Sequence, residues 1–176
     1  MNRFLGAFES RVLAVPGNCD PPETVGVLED AHASLHGRQV TFKGTGFFGF
    51  GGGLPSPAHM PFEVDEETMV ASLATIGAGG GVMVTHTPPY GMNDRSRSGR
   101  SHGSKGILRI AKELRPRLVL SGHMHEARGE CEEDGIVFVN PGPAREGFYA
   151  VAELGQQVKI DLLRAETMKE RRLKTF

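Results

Sequence analysis

Residues 118–126 read Leu-Val-Leu-Ser-Gly-His-Met-His-Glu, a short all-apolar run that stops at a glycine and is followed by two histidines one residue apart. A run apolar on every residue belongs to a strand covered on both faces, and such strands occur in parallel or mixed sheets flanked by helices. Ligand sites in these sheets lie at the carboxyl ends of the strands. The run therefore predicts an α/β fold with His123 and His125 where such a protein keeps its chemistry. Taken alone, His-x-His is as readily a surface connection. In an extended loop the two imidazoles diverge, which suits two neighbouring metals better than one.

Two further segments repeat the pattern. Residues 11–15, Arg-Val-Leu-Ala-Val, predict a buried strand followed by the turn chemistry of Pro16, Gly17 and Asn18, and residues 82–86, Val-Met-Val-Thr-His, end on His86 before Thr-Pro-Pro. Three strand ends then carry Asn18, His86, and His123 with His125 to one edge of a sheet. Neutral imidazole and amide oxygen suit a divalent first-row cation, manganese, iron, nickel or zinc. One cation could take Asn18, His86 and His123.

The rest of the chain supplies the covering elements. Helices are expected over residues 22–31, over 65–76 with its acidic first turn, and over 105–115 with Ser104 as N-cap. Two strands around a glycine turn are expected within 39–50, and antiparallel pairs within 128–140 and 147–163. Residues 2–10 resemble the last turns of an amphipathic helix, with Phe4, Leu5 and Phe8 on one side. The basic, polar stretch 92–103 reads as a mobile loop. Its Arg95, Arg97 and Arg100 could meet nucleic acid, but a solvated loop is the commoner meaning of three such charges.

At 176 residues the chain fits one domain, expected over 1–163 with a charged tail at 164–176. With 39% hydrophobic residues, 23% charged and a net charge of -1, it has no global attraction for nucleic acid or a membrane surface. Two cysteines make no disulfide framework, and no run has the length of a signal peptide or a membrane span, so a cytoplasmic protein is expected.

The order Gly-Asn-Cys-Asp (17–20), Thr-His-Thr-Pro-Pro (85–89), His-Gly-Ser (102–104), Gly-His-Met-His-Glu-Ala (122–127) and Val-Asn-Pro-Gly-Pro (139–143) resembles the calcineurin-like metallophosphoesterases, in particular a small prokaryotic branch with Gly-Asn-Cys-Asp. The resemblance runs from about Arg11 to Leu154. It implies a four-layer α/β/β/α sandwich with a two-metal site, most often manganese, in which Asn18, His86 and His123 bind the second metal and His125 the first. It implies hydrolysis of a phosphodiester or phosphomonoester small molecule by a metal-bound hydroxide, with Asp20 orienting the ligands from behind. Cys19 takes the place of the histidine that protonates the leaving group in many relatives. A thiol with a pKa near ~8.5 does this poorly at neutral pH, and packing in a tight turn is its other reading.

The family's opening motifs, Asp-x-His and then Gly-Asp, do not occur before residue 11, so the fold is expected to lack its first βαβ unit. Two-metal hydrolysis holds its cations roughly 3.5–4 Å apart. Without the bridging aspartate the expectation is two metals in a longer form, at most one here, and little turnover. His102, Ser104 and Arg100, at the start of the helix over 105–115, are candidates to orient a phosphate. His32, His36 and His59 have no strand-end setting and read as surface. A non-catalytic scaffold on the same fold is the alternative function, with a mononuclear zinc protein as a third class. Substrate and self-association, as a homo-oligomer, stay open.

Overall fold

The computed structural model describes residues 10–77 and 79–166; the expected helix at 2–10 and most of the charged tail lie outside them. Among the described residues three α-helices, α1 (Thr24–Asp30), α2 (Glu66–Ile76) and α3 (Lys105–Leu114), accompany eight strands. These are β1 (Arg38–Phe42), β2 (Thr45–Phe50), β3 (Val82–Thr85), β4 (Leu118–Leu120), β5 (Gly129–Glu133), β6 (Ile136–Asn140), β7 (Phe148–Leu154) and β8 (Val158–Arg164). Six form a mixed sheet in the order β1-β2-β3-β4-β6-β5, and β7 with β8 forms a separate antiparallel pair. The centre of the large sheet, β2-β3-β4-β6, is parallel, as the all-apolar runs require.

Side-chain alternation assigns each residue of these strands to a layer. Phe48, Phe50, Met83, Val119, Ile136 and Phe138 join Met69, Val70 and Leu73 of α2 and Ile107, Ile110 and Ala111 of α3. On the opposite face Val82, Leu118 and Val139 meet Ala150, Leu154, Val158, Ile160 and Leu162 of the β7–β8 hairpin. The layers are thus helix, six-stranded sheet and two-stranded sheet, in the α/β architecture read from the sequence. No helix among the described residues is long and apolar enough to cross a membrane.

Local chemistry sets the element ends. Asp65 caps α2 by accepting from the Thr68 N–H at 2.8 Å, and Ser104 caps α3 by accepting from Ile107 N–H at 2.8 Å. Lys43 and Gly44 both have positive φ, 47° and 79°, which matches the two-residue turn that a right-twisted hairpin prefers.

Residues 11–15 depart from expectation. They form no strand, only a single parallel bridge between Ala14 and Ser34, and Val12 to Val15 are half-buried. The Ala14 N–H donates to Ala33 and its carbonyl accepts from Leu35, and no sheet neighbour lies alongside to extend the ladder among the described residues. His36 is also not a free surface residue. Its ring stacks 4.2 Å from the Phe50 ring, and its Nδ1 accepts the Gly51 N–H at 3.1 Å.

Candidate functional site

Each of the parallel strands β2, β3 and β4 ends in a backbone turn that stacks against its neighbour. The His86 N–H donates to the Phe50 carbonyl and the Gly122 N–H to the His86 carbonyl, so the ladder runs one step beyond the strands. This brings the loops of residues 86 and 122–125 level with the loop of residues 51–53. Gly52 in turn donates to Pro16, and Phe62 to the Asn18 carbonyl, which fixes the turn at residues 16–20 over the same edge.

Three donors meet there. Asn18 Oδ1 lies 3.0 Å from His86 Nε2, and His86 Nε2 lies 3.2 Å from His123 Nδ1. In the neutral tautomers with the protons on His86 Nδ1 and His123 Nε2, three lone-pair atoms face one small space. Metal–nitrogen bonds of roughly 2.0–2.1 Å at 90–110° place neighbouring donors roughly 2.9–3.4 Å apart, so the spacing fits a shared first-row cation. Burial, then the neighbouring charge of His123, pushes the His86 pKa down to about 4, with Asp20 pulling the other way. Burial, followed by the charges of His125 and His102, lowers that of His123. Both imidazoles are therefore unprotonated at neutral pH, the form a cation requires.

Two close approaches make the arrangement specific to glycine. A Cβ on Gly17 would sit 3.1 Å from His86 Cε1, and one on Gly53 would sit 2.7 Å from the Asn18 Cβ. His123 itself lies in the left-handed region at φ 64°, a conformation that costs a non-glycine residue of order 1–3 kcal/mol. The buried Asn140 holds that conformation. Its amide nitrogen donates to the Met124 carbonyl at 2.7 Å and its Oδ1 accepts from the Gly142 N–H at 3.0 Å.

The remaining candidates divide. Asp20 Oδ2 accepts the Gly17 N–H at 2.7 Å and closes the turn that presents Asn18. Cys19 is exposed, so the packing reading of its thiol does not hold; its Sγ lies 3.7 Å from Asn18 Oδ1, on the solvent side of the three donors. His125 is exposed and opens the 3-10 turn His125–Ala127; its Nδ1 accepts from Arg145 Nη2 at 3.1 Å rather than joining the other three. Arg145 carries no sequence signal beyond following Asn-Pro-Gly-Pro, and only the fold brings it there. His102 is exposed, near enough for its charge to reach His123. Arg100 is exposed. Ser104 is fully buried, with its hydroxyl spent on capping α3 and donating to Glu66 Oε1 at 2.6 Å. Among the described residues no three His, Cys, Asp or Glu side chains cluster as a metal site; the Asn18 amide stands beside His86 and His123.

Known proteins resemble this chain in both sequence and fold. The chain is 31% identical over 139 residues to the uncharacterised protein MJ1162 of Methanocaldococcus jannaschii, covering 75% of this chain and 64% of that one. It is 40% identical over 67 residues to UPF0046 protein T07D4.2 of Caenorhabditis elegans, 37% of this chain and 17% of the relative. The chain thus spans less than two thirds of the length of these relatives. One crystal structure superposes with a TM-score of 0.75 at 26% identity, over 92% of this chain and 68% of that one. The crystal structure of TT1561 of Thermus thermophilus shares the fold with a TM-score of 0.64 at 19% identity, over 92% and 76% of the two chains. Residues 70–164, more than half of the chain, match the model for metallophosphoesterases of the calcineurin superfamily, and the chain belongs to that family.

Proposed function

We propose that this domain hydrolyses a phosphoester, a phosphodiester or phosphomonoester of a small molecule, with Asn18, His86 and His123 holding a divalent cation. Manganese is the first choice, with iron, nickel or zinc as alternatives. The observation that carries the reading is the convergence of the Asn18, His86 and His123 donor atoms within 3.0–3.2 Å steps, from three separate loops. A bound divalent cation supplies Lewis-acid stabilisation of the phosphoryl oxygens and acidifies water.

The chain's own residues do the remainder. Asp20 and Asn140 keep the two outer donors in place through their backbone hydrogen bonds. Arg145 keeps the proton of a neutral His125 on Nε2, because Nδ1 is already accepting, so His125 offers an N–H to a phosphoryl oxygen. The exposed Cys19 thiol stands where it can donate a proton to a departing oxygen.

A titration of Mn2+ into the metal-free chain, with hydrolysis of bis(p-nitrophenyl) phosphate and p-nitrophenyl phosphate measured alongside, tests the reading. One saturable Mn2+ site that His123→Ala removes, with a slow hydrolysis that disappears with it, is the expected result. No Mn2+ binding in the parent chain overturns it. A non-catalytic module on the same fold is the second reading, favoured by the absence of any carboxylate from the three converging donors. It predicts Mn2+ binding without turnover of either ester.

A further inference from the structure

The basic stretch 92–103 is not a loose loop. Asp94, fully buried, accepts from the Gly91 and Gly103 N–H groups, each at 2.9 Å, and so ties together the two ends of the excursion. Above it Arg95 and Ser101 form an antiparallel bridge, Ser96 N–H donates to the Arg100 carbonyl at 2.9 Å, and Gly99 N–H donates to the Ser96 carbonyl at 2.8 Å. The result is a small hairpin held by its own backbone. None of these bonds uses an arginine side chain.

That hairpin forms one wall of a cleft of about 460 Å³, whose other wall begins at the 3-10 turn His125–Ala127. Arg95, Arg97 and Arg128 line it, with Ser96, Asp94 and Glu126. Three arginines thus line the cleft with two carboxylates, of which Asp94 uses Oδ2 for the hairpin and keeps Oδ1 buried without a hydrogen-bond partner among the described residues. Asp94 holds Gly91 and Gly103, and Glu126 Oε1 accepts the Arg97 N–H at 3.3 Å. Other exposed cations, Arg38, Arg109, Lys112 and Arg145, are ion-paired, whereas Arg95 and Arg97 form no ion pair among the described residues. The Arg128 guanidinium lies over the Phe148 ring at 4.8 Å with Nη2 donating to the Leu163 carbonyl at 3.5 Å, while its Nε is buried with no hydrogen-bond partner among the described residues.

We infer that this cleft binds a second anionic group of the substrate, so that the domain selects phosphoesters that carry another phosphate or a carboxylate. The inference rests on the phosphoesterase reading for its meaning, and on the cleft alone for its chemistry. Guanidinium groups recognise phosphate and carboxylate through charge-assisted, bidentate hydrogen bonds, and a hairpin backbone ordered in advance removes part of the entropic cost of binding. Glu126 and Ala127, the residues that follow His125 in its 3-10 turn, line the cleft.

Calorimetric titration of inorganic tripolyphosphate and of orthophosphate into the full chain, with EDTA present, reads the cleft without any metal. Tripolyphosphate should bind more tightly than orthophosphate. The exposed double variant Arg95→Ala/Arg97→Ala should weaken tripolyphosphate roughly tenfold or more, Arg128→Gln should weaken it as well, and Arg109→Ala on α3 should not. Thermal melting checks that each variant folds. Equal affinity for the two anions, or tripolyphosphate binding unchanged in a folded double variant, overturns the inference. Mn2+ titration of the same proteins without EDTA keeps the two readings apart. Tripolyphosphate binding that ignores the arginine substitutions while Mn2+ still binds sinks the cleft alone. Arginine-sensitive tripolyphosphate binding in a chain that takes no Mn2+ supports the cleft and sinks the metal site.

Discussion

The amide nitrogen of Asn140, at the end of β6, reaches the carbonyl of Met124 at 2.7 Å, the residue directly after His123. A strand end on one side of β4 thereby fixes the loop that leaves it. Replacing Asn140 by Asp puts an acceptor against that carbonyl, and Asn140→Ala leaves it only the Ala127 N–H, at a cost of about 1 kcal/mol for the lost hydrogen bond. Both variants should also lose roughly 10–100-fold in Mn2+ affinity without any converging donor being touched. Urea unfolding and Mn2+ titration measure the two effects separately.

His123 holds φ at 64°, where glycine has no penalty. His123→Gly should therefore be more stable than His123→Ala by about 1 kcal/mol, although both remove the Nδ1 donor. Thermal melts of the metal-free variants decide this. If alanine proves the more stable of the two, the backbone strain assigned to this residue is not there.

Gly53 leaves room for Asn18 that a side chain would fill: the added methyl of Gly53→Ala would lie 2.7 Å from the Asn18 Cβ. The turn bearing Asn18 must then shift, while His86 and His123 keep their places. Mn2+ affinity should fall at least roughly tenfold, as when a supporting contact of a ligand is lost. An affinity equal to the parent's would remove Asn18 from the donor set.

Folding holds the His86 pKa at about 4, below its ordinary 6.5, so the unfolded chain takes up the proton first as pH falls. Stability is complete above about pH 6.5, declines as pH falls toward about 4, and levels off below, a loss of about 3 kcal/mol from this residue in the metal-free chain. His36, lowered mainly by its own burial, adds a loss of the same sign below pH 6.5. Urea midpoints between pH 7.5 and 4.5 should show this slope, and His86→Gln should flatten it.

Ser104 is buried and caps α3 while bonding Glu66. Ser104→Ala should cost about 1–2 kcal/mol of stability and leave tripolyphosphate affinity unchanged. A selective loss of anion binding in a stably folded variant would return this hydroxyl to the phosphate.

The sequence disclosed those parts of the fold whose signal is local. β3 and β4 announced themselves through apolar runs because both of their faces are covered, and Asp65 and Ser104 marked the starts of α2 and α3 because a cap bonds within one turn. Strand-end logic likewise brought His86 and His123 to one edge, and Asn18 joins them although the run before it forms no strand. It failed where pairing is decided by distant neighbours. Residues 11–15 have strand composition but only one bridge, and stretch 92–103 looked mobile because its order comes from the Asp94 carboxylate and backbone bonds, which leave no trace in polarity. His36 looked like surface because nothing in its local sequence shows Phe50 beneath its ring. The Arg145 contact to His125 spans 20 residues and was equally invisible.

The donors of Asn18 and His86 are separated by 68 residues along the chain, and those of His86 and His123 by 37. No local fragment contains the site, so it comes into being only once the parallel strands have docked, the slow, non-local step of such a topology. A ligand of these three atoms therefore has nothing to bind in the early collapsed chain. Adding it should leave the refolding rate unaltered and appear entirely as slower unfolding, which makes occupancy of the site a brake on the exit from the native state rather than a guide into it.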